Sequence, residues 1–278
     1  MAYDMIRWEE KAIIEAAVKK GVEIKPIDCK DIYLDLSDER VEEFQDIVLQ
    51  RCVSYFRNLH LTAYLELKGI PVVNGFRQAV IAGNKLFTTL TLIKAGVPTP
   101  HTFLSFSVDG ALSALERLGY PAVVKPTIGS WGRLVALLKD RESAEAVLED
   151  REHMFPLYQV YYLQESVKRP PRDIRSFVLG DRVIAAIYRV AAEGRWKTNT
   201  ALGGKAVNCP ITPELEEISL KAAKAIGDGF FGVDCMEGPH GLLVHEVNNT
   251  TEFRNTVPAT GVDIPGLLVD YLVKRAKA

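Results

Sequence analysis

Apolar and polar positions along this chain switch repeatedly between a helical period and a strand period. Residues 8–20 (WEEKAIIEAAVKK) carry apolar side chains at helical spacing and stop before Gly21, which predicts a helix closed by a glycine cap. VEIKPI (22–27) and DIVLQRCV (46–53) predict short buried strands, residues 58–67 a helix, and PVVNG (71–75) a strand ending in a turn. Strands alternating with helices predict a βαβ unit with a parallel sheet. Because the helix opens at residue 8, the first strand of that unit is nearly absent, and the chain is expected to begin downstream of the full unit's start.

A helix over 78–95 and a hinge at Pro98–Pro100 come next. The residues after the hinge predict strand (TFLSF), helix (DGALSALERLG), strand (AVVKP), a glycine-bearing turn, strand (RLVALL) and helix (ESAEAVLED). YYLQESV (161–167) predicts a strand, residues 172–191 a hairpin turning at Gly180-Asp181, and residues 213–226 an amphipathic helix. Two strands end the pattern: FFGVDCME, whose end offers Asp234, and LLVHEVN, which carries Glu246 and Asn248. The class is α/β, with no internal repeat or low-complexity segment.

Composition changes this picture only by exclusion. A chain of 278 residues accommodates two domains, or one with a mobile subdomain. With 47% hydrophobic and 25% charged residues it is ordinary for a globular protein. A formal net charge of −2 gives no general attraction to nucleic acid or an anionic membrane surface. No apolar run approaches the ~20 residues that cross a bilayer. MAYDMIRWEEK has no secretory h-region. Cys29, Cys52, Cys209 and Cys235 lack paired spacing, as in buried thiols of a reducing cytoplasm. A zinc set of Cys235, His240 and His245 matches no standard finger and lacks a fourth ligand, so it is rejected.

Side chains two apart on a strand share a face, so Glu246 and Asn248 can hold one cation, with Asp234 from the neighbouring strand. Oxygen donors of this type suit Mg²⁺, which usually holds nucleotide phosphates as well. Lys125 ends an apolar strand and is followed by a loop with Gly129, Ser130, Trp131 and Gly132; such a loop can cradle phosphates, or it can be a plain hairpin turn beside a snorkelling lysine. It is not a Walker A loop. Lys85, opening a helix, is either solvated or functional. The strand from Gln164 through Glu165, Ser166 and Val167 can offer backbone groups to an adenine edge. Arg175 and Arg189 face each other across the predicted hairpin, with Asn199 and Thr200 in the glycine-rich loop beyond it; guanidiniums there either bind carboxylate and phosphate bidentately or form surface salt bridges. Lys168, Arg169 and Arg172 form a basic run that is either a solvated loop or a seat for an acidic partner.

Taken together, Lys85, Lys125, GSWGR, QESV, Asp234, Glu246 and Asn248 resemble an ATP-grasp carboxylate–amine ligase over nearly the whole chain. QRCVS, GIPVVN, KPTIGSWGRL, PRDIR, AAIYR, TNTALGG, EVNNTTEF and TGVDIPG make it most similar to the LysX-type ligases, which join α-aminoadipate to an amino-group carrier protein in lysine biosynthesis. Arginine-pathway relatives tend to carry Gly-Phe where this chain has Asn255-Thr256, which favours α-aminoadipate over glutamate. The resemblance implies an ATP-grasp fold with a pre-ATP-grasp domain (1–80), a central lid subdomain (81–165) and a C-terminal subdomain with the metal and substrate sites (166–278). ATP is implied on Lys85, Lys125, residues 129–132 and residues 164–167, and two Mg²⁺ ions on Asp234, Glu246 and Asn248. Lys125 and Arg189 are implied in catalysis. Arg175, Arg189, Asn199, Thr200, Arg254, Asn255 and Thr256 are implied in the amino-acid pocket.

The implied reaction phosphorylates the side-chain carboxylate of the carrier's C-terminal glutamate, and the α-amine of α-aminoadipate then attacks. Part of the lid is expected in the SWGR loop, since an acyl phosphate must be kept from water. The implied partner is a small acidic carrier protein, in the cytoplasm, with a homo-oligomer (dimer or tetramer) expected and no nucleic-acid or membrane partner. Leu202 and Lys205 lie where relatives differ. Competing readings are the same chemistry with glutamate, on a ribosomal protein, a coenzyme tail or the arginine-pathway carrier, and a nucleotide-binding scaffold without catalysis. A full Asp234–Glu246–Asn248 set argues against the scaffold.

Overall fold

A computed structural model describes residues 1–37, 44, 46–198 and 203–277. The N-terminal part contains β1 (Ala2–Tyr3), α1 (Trp8–Lys19), β2 (Ile27–Asp28), β3 (Val48–Leu49), α2 (Tyr55–Leu67) and β4 (Val72–Val73). β1 pairs with β2 and β3 with β4, both parallel, and a parallel bridge from Ala2 to Gln50 links the two pairs. The parallel βαβ expectation holds, with a two-residue first strand. VEIKPI contributes only Ile27 to β2 and DIVLQRCV only Val48 and Leu49 to β3, with Ala2, Ile27, Val48, Leu61 and Leu65 buried between this sheet and α2.

One predicted helix is two: α3 (Phe76–Ala82) and α4 (Lys85–Lys94). Asn84 between them is extended, and its side chain accepts from the backbone N–H groups of Leu86 and Phe87, the N-cap chemistry that starts a new helix. A side chain at Gly83 would put its Cβ 2.2 Å from the Tyr55 ring. The break matters because it sets Lys85 at a helix start, where its backbone N–H donates to Thr127 O at 2.8 Å.

The central part has β5 (Thr102–Ser105), α5 (Val108–Leu118), β6 (Ala122–Lys125), β7 (Ala136–Leu138), α6 (Arg141–Glu152) and β8 (Tyr161–Glu165), forming an antiparallel sheet ordered β5-β8-β6-β7. Ala111, Leu115, Ala144 and Leu148 of its helices bury that sheet's apolar face. The strand expected at RLVALL is shorter, because Arg133 and Leu134 belong to the turn, and YYLQESV leaves the sheet after Glu165.

The C-terminal part has β9 (Arg172–Leu179), β10 (Arg182–Val190), β11 (Lys205–Asn208), α7 (Pro213–Ile226), β12 (Phe230–Gly238), β13 (Gly241–Asn248), α8 (Thr256–Thr260) and α9 (Ile264–Ala276). Its five strands run β11-β10-β9-β12-β13, every neighbour antiparallel. One face, with Ile174, Val178, Phe231, Val233 and Val244, packs on α7. The other is apolar at one end, where Phe177, Ile187 and Phe230 meet α1 and α9. Alternation along the strands puts Asp173, Arg175, Arg189 and Asp234 further along that same face, so an apolar core passes directly into a charged site. Among the described residues no helix is long and apolar enough to cross a membrane.

Candidate active site

The site grows from the β12–β13 pair. Asp234 is the direct cross-strand partner of Glu246, and Gly232 that of Asn248. Asp234 therefore lies mid-strand, not at a strand end as the sequence suggested, because β12 continues to Gly238. The register shifts between Asp234 and Cys235, leaving His245 as the extra residue of a bulge on β13. Cys235 points into the core under α7, so the rejected zinc set is split across the sheet.

Arg175 grips Asp234 with two bonds, Nε to Oδ1 and Nη2 to Oδ2, both 2.7 Å. Arg189 adds a 3.0 Å contact from Nη2 to Asp234 Oδ2 and holds Asp173 through two bonds of 2.6 and 2.8 Å. Asp173 also accepts from the Thr198 hydroxyl. Burial alone would push the Asp234 carboxyl up, and the two guanidiniums outweigh it, holding the group far below the usual carboxylate range. Glu246 is likewise lowered, against burial, chiefly by Lys85, whose Nζ stands 3.1 Å from Oε1. The arginines expected either on a substrate or on a surface are thus paired with buried carboxylates.

The two lysines meet this carboxylate wall from the opposite side. Lys125, at the end of β6, is buried, and its Nζ donates to Gln164 Oε1 on β8 at 2.6 Å. Burial and the nearby Lys85 and Arg169 lower its ammonium to about 8, although Glu246 opposes them. Lys85 Nζ also donates to Gly129 O at 2.7 Å, which ties the glycine-bearing loop to the carboxylates. Gly132, with φ +65°, and Trp131, with φ +58°, turn that loop sharply, and Lys197 Nζ caps it with a 3.0 Å bond to Gly132 O. Gln164 uses its side chain on Lys125, Tyr162 and Thr102, and Glu165 accepts from His101 N–H, while Ser166 and Val167 continue along the cleft wall.

One cleft of about 510 Å³ is lined by Lys85, Lys125, Gly129, Ser130, Trp131, Gly132, residues 164–167, Asp234, Glu246 and Asn248. A second cavity of about 350 Å³ adjoins it, lined by Arg254, Asn255, Thr256, Arg7 and Glu9. Arg175 and Arg189 line both. Asn199 and Thr200, also expected at the pocket, lie outside the described residues, as does Leu202.

Several residues that shape the site escaped the sequence reading. Glu9 Oε1 accepts from the backbone N–H groups of Phe253 and Arg254 (3.0 and 2.9 Å), fixing the loop that carries Asn255. Arg51, fully buried, donates to Glu10 Oε1 at 2.9 Å and to Thr251 O at 3.2 Å. Asn74 accepts from Phe230 N–H and donates to Phe230 O and Asn249 O. Their only signals were a glutamate pair in a first helical turn, ordinary there for dipole reasons, and the QRCVS and GIPVVN stretches. Among the described residues His245 finds no hydrogen-bond partner for either buried ring nitrogen, and burial together with Lys125 lowers its imidazole to about 4, so it is neutral at pH 7. Of the basic run, Arg172 is paired with a carboxylate and Arg169 with backbone carbonyls. Arg172 makes two 2.7 Å bonds to Glu237, and Arg169 Nη1 donates to the carbonyls of Pro170 and Arg172.

A divalent cation fits this donor set on chemical grounds. Two carboxylates and an amide oxygen share one face, few enough to leave room for phosphate oxygens around a hard cation. Among the described residues no three His, Cys, Asp or Glu group to form an all-protein metal cage.

The family model for a RimK-like ATP-grasp domain matches residues 82–272, and that for a LysX pre-ATP-grasp domain matches residues 1–81. The α-aminoadipate–LysW ligase LysX of Saccharolobus solfataricus is 41% identical over 98% of this chain and 100% of its own length. The chain belongs to the LysX-type ATP-grasp ligases. The glutamate–LysW ligase ArgX of Sulfurisphaera tokodaii is less similar, at 31% identity over 97% of this chain and 95% of its own. A RimK-domain ATP-grasp protein from Sphaerobacter thermophilus shares the fold at TM-score 0.78 and 24% identity, covering 98% of each chain. A LysX-type chain is an ATP-dependent carboxylate–amine ligase, and the ATP-grasp fold implies Mg²⁺. The resemblance drawn from the motifs holds.

Proposed function

We propose that this chain uses ATP to activate the side-chain carboxylate of a C-terminal glutamate on a small acidic carrier protein, and joins it to the α-amine of α-aminoadipate. A carboxylate is a poor electrophile. Transfer of the γ-phosphoryl group to its oxygen makes an acyl phosphate; the amine nitrogen then bonds to the carbonyl carbon, phosphate leaves with the C–O bonding pair, and the amine loses a proton. Lys85, Lys125 and the loop from Gly129 to Gly132 would hold the phosphates, and residues 164–167 the adenine edge. Asp234, Glu246 and Asn248 would hold two Mg²⁺ ions, which when bound neutralise charge on the transferring phosphoryl group. Arg189, anchored on Asp173, stands where it can stabilise charge at the reacting centre. The division 1–80, 81–165 and 166–278 belongs to the same proposal, as does a dimer or tetramer.

The observation that carries the reading is the arginine wall common to both cavities: Arg175 and Arg189 separate the carboxylate-lined cleft from a pocket rich in arginine. A dianionic amino acid suits that pocket, and its amine would face the site where the acyl group forms. Mixing the protein with Mg-ATP, a purified carrier and either α-aminoadipate or glutamate, then weighing the intact carrier, tests it. A gain equal to α-aminoadipate minus water is expected; a gain with glutamate alone would assign the arginine-pathway reaction instead. That second reading has support from the ArgX relative, while Asn255-Thr256 weighs against it.

A further inference from the structure

Asp234 has more claimants than a metal ligand can keep. Its two oxygens receive both bonds of Arg175, one contact from Arg189 and a 3.4 Å bond from Asn248 Nδ2. The pairs Arg175 and Arg189 against Asp173 and Asp234 leave this cluster electrically neutral. A divalent cation at Asp234 adds two positive charges beside two guanidiniums, in a partly desolvated setting where like charges repel strongly.

The two arginines are not equally placed to yield. Arg189 keeps two bonds to Asp173, and its side chain is 5% exposed. Arg175 pairs with Asp234 alone among the described residues, and its side chain is 16% exposed. It already borders the second cavity, beside Arg254 and Thr256. Its planar fork binds one carboxylate as well as another.

We propose that Arg175 is exchanged between the two cavities: a divalent cation takes Asp234, and the released guanidinium closes on a carboxylate of the incoming amino acid. Without the cation, Asp234 occupies the group that the amino acid needs. Cation-bound nucleotide and dianionic amino acid then bind cooperatively, by the same factor in each direction, because linkage is reciprocal. The exchange places Arg175 in ordering the two ligands, and it rests on the second cavity being the amino-acid pocket.

Calorimetry on the full chain tests it, with a non-hydrolysable ATP analogue present throughout and Mg²⁺ either added or chelated. The dissociation constant for α-aminoadipate should fall about tenfold to a hundredfold when Mg²⁺ is added, and that for Mg²⁺ binding to the analogue-bound chain should fall by the same factor at saturating α-aminoadipate. Equal α-aminoadipate affinity with and without Mg²⁺ overturns the exchange and leaves the proposed reaction standing. No binding in either condition overturns both. In Arg175→Met the coupling should collapse toward one. Mn²⁺ binding without amino acid, followed by the loss of the free-ion paramagnetic resonance signal, should tighten, because the competitor for Asp234 is gone; weaker or unchanged Mn²⁺ binding in the folded variant would mean that Arg175 merely supports Asp234. Should that variant fail to fold, the wild-type comparison still decides.

Discussion

Trp131 donates its indole N–H to Glu252 Oε1 across 3.2 Å, joining the glycine-bearing loop to the segment that follows β13. The same Glu252 oxygen lies 3.4 Å from Arg7 Nη1, so three stretches far apart in sequence meet at one carboxylate. Glu252 lines both cavities, so the contact lies at the border where the acyl phosphate is proposed to form. Glu252→Gln should loosen it and admit water, raising phosphate released per amide formed by roughly threefold to tenfold, as expected for losing one charge-assisted bond. Parallel phosphate and intact-mass assays give the ratio; an unchanged ratio rules out the latch.

Lys125 makes a pH prediction whose direction follows from burial. Its folded ammonium titrates at about 8 against an ordinary value of 10.5. Below about pH 8 the folded chain carries a desolvated charge, a penalty of order 3 kcal/mol relative to the unfolded chain. Between the two values only the unfolded chain holds the proton, so stability from this group rises with pH. Lys125→Met should therefore exceed wild type in Tm near pH 7, and the lead should shrink as pH approaches 10.5. A lead constant with pH would refute the assignment. Nucleotide affinity of the wild type should move the other way, weakening above pH 8 as the charge is lost.

Arg51 is a structural anchor, not a substrate group. Replacing it by Met leaves Glu10 with Arg7 alone and frees Thr251 O, and should destabilise the chain by about 3 kcal/mol. Urea unfolding measures this. The double variant with Glu10→Gln should lose less than the two single losses added together.

Thr256 is 1% exposed on the wall of the second cavity. Thr256→Phe should shorten that cavity and lower the α-aminoadipate to glutamate ratio of kcat/KM by about tenfold or more, the usual range for one methylene in a fitted pocket. Retention of the wild-type ratio would place selectivity elsewhere.

What was readable in the sequence was local. Glu246 and Asn248 two apart on a strand, and Lys125 at a strand end before glycines, announce themselves through alternation and turn chemistry. Asp234 was found by residue type, yet its place opposite Glu246 depends on a register no single strand encodes. The helix predicted over 78–95 hid a break, because Gly83 alone is a weak breaker and the Tyr55 ring that demands it lies far away in sequence. Glu10 and Arg51 were unreadable for the same reason: each looks like an exposed charge until the other is beside it. Within the basic run, the pairing of Arg172 could not be read, since its partner Glu237 sits on another strand.

His245 has a meaning beyond its unpartnered ring. Val244 and Val247 both enter the core under α7, three positions apart, while Glu246 and Asn248 enter the cleft. Strict alternation forbids that arrangement; one uncounted residue between Val244 and Glu246 permits it. The hairpin thus works by parity. Pairing His245 into the ladder with the residue count unchanged would turn Val244 or Glu246 to the wrong face, whereas deleting His245 would restore plain alternation, with Val244 and Val247 in the core and Glu246 in the cleft. The segment therefore tolerates loss of the one bulged residue, and not its entry into the pairing.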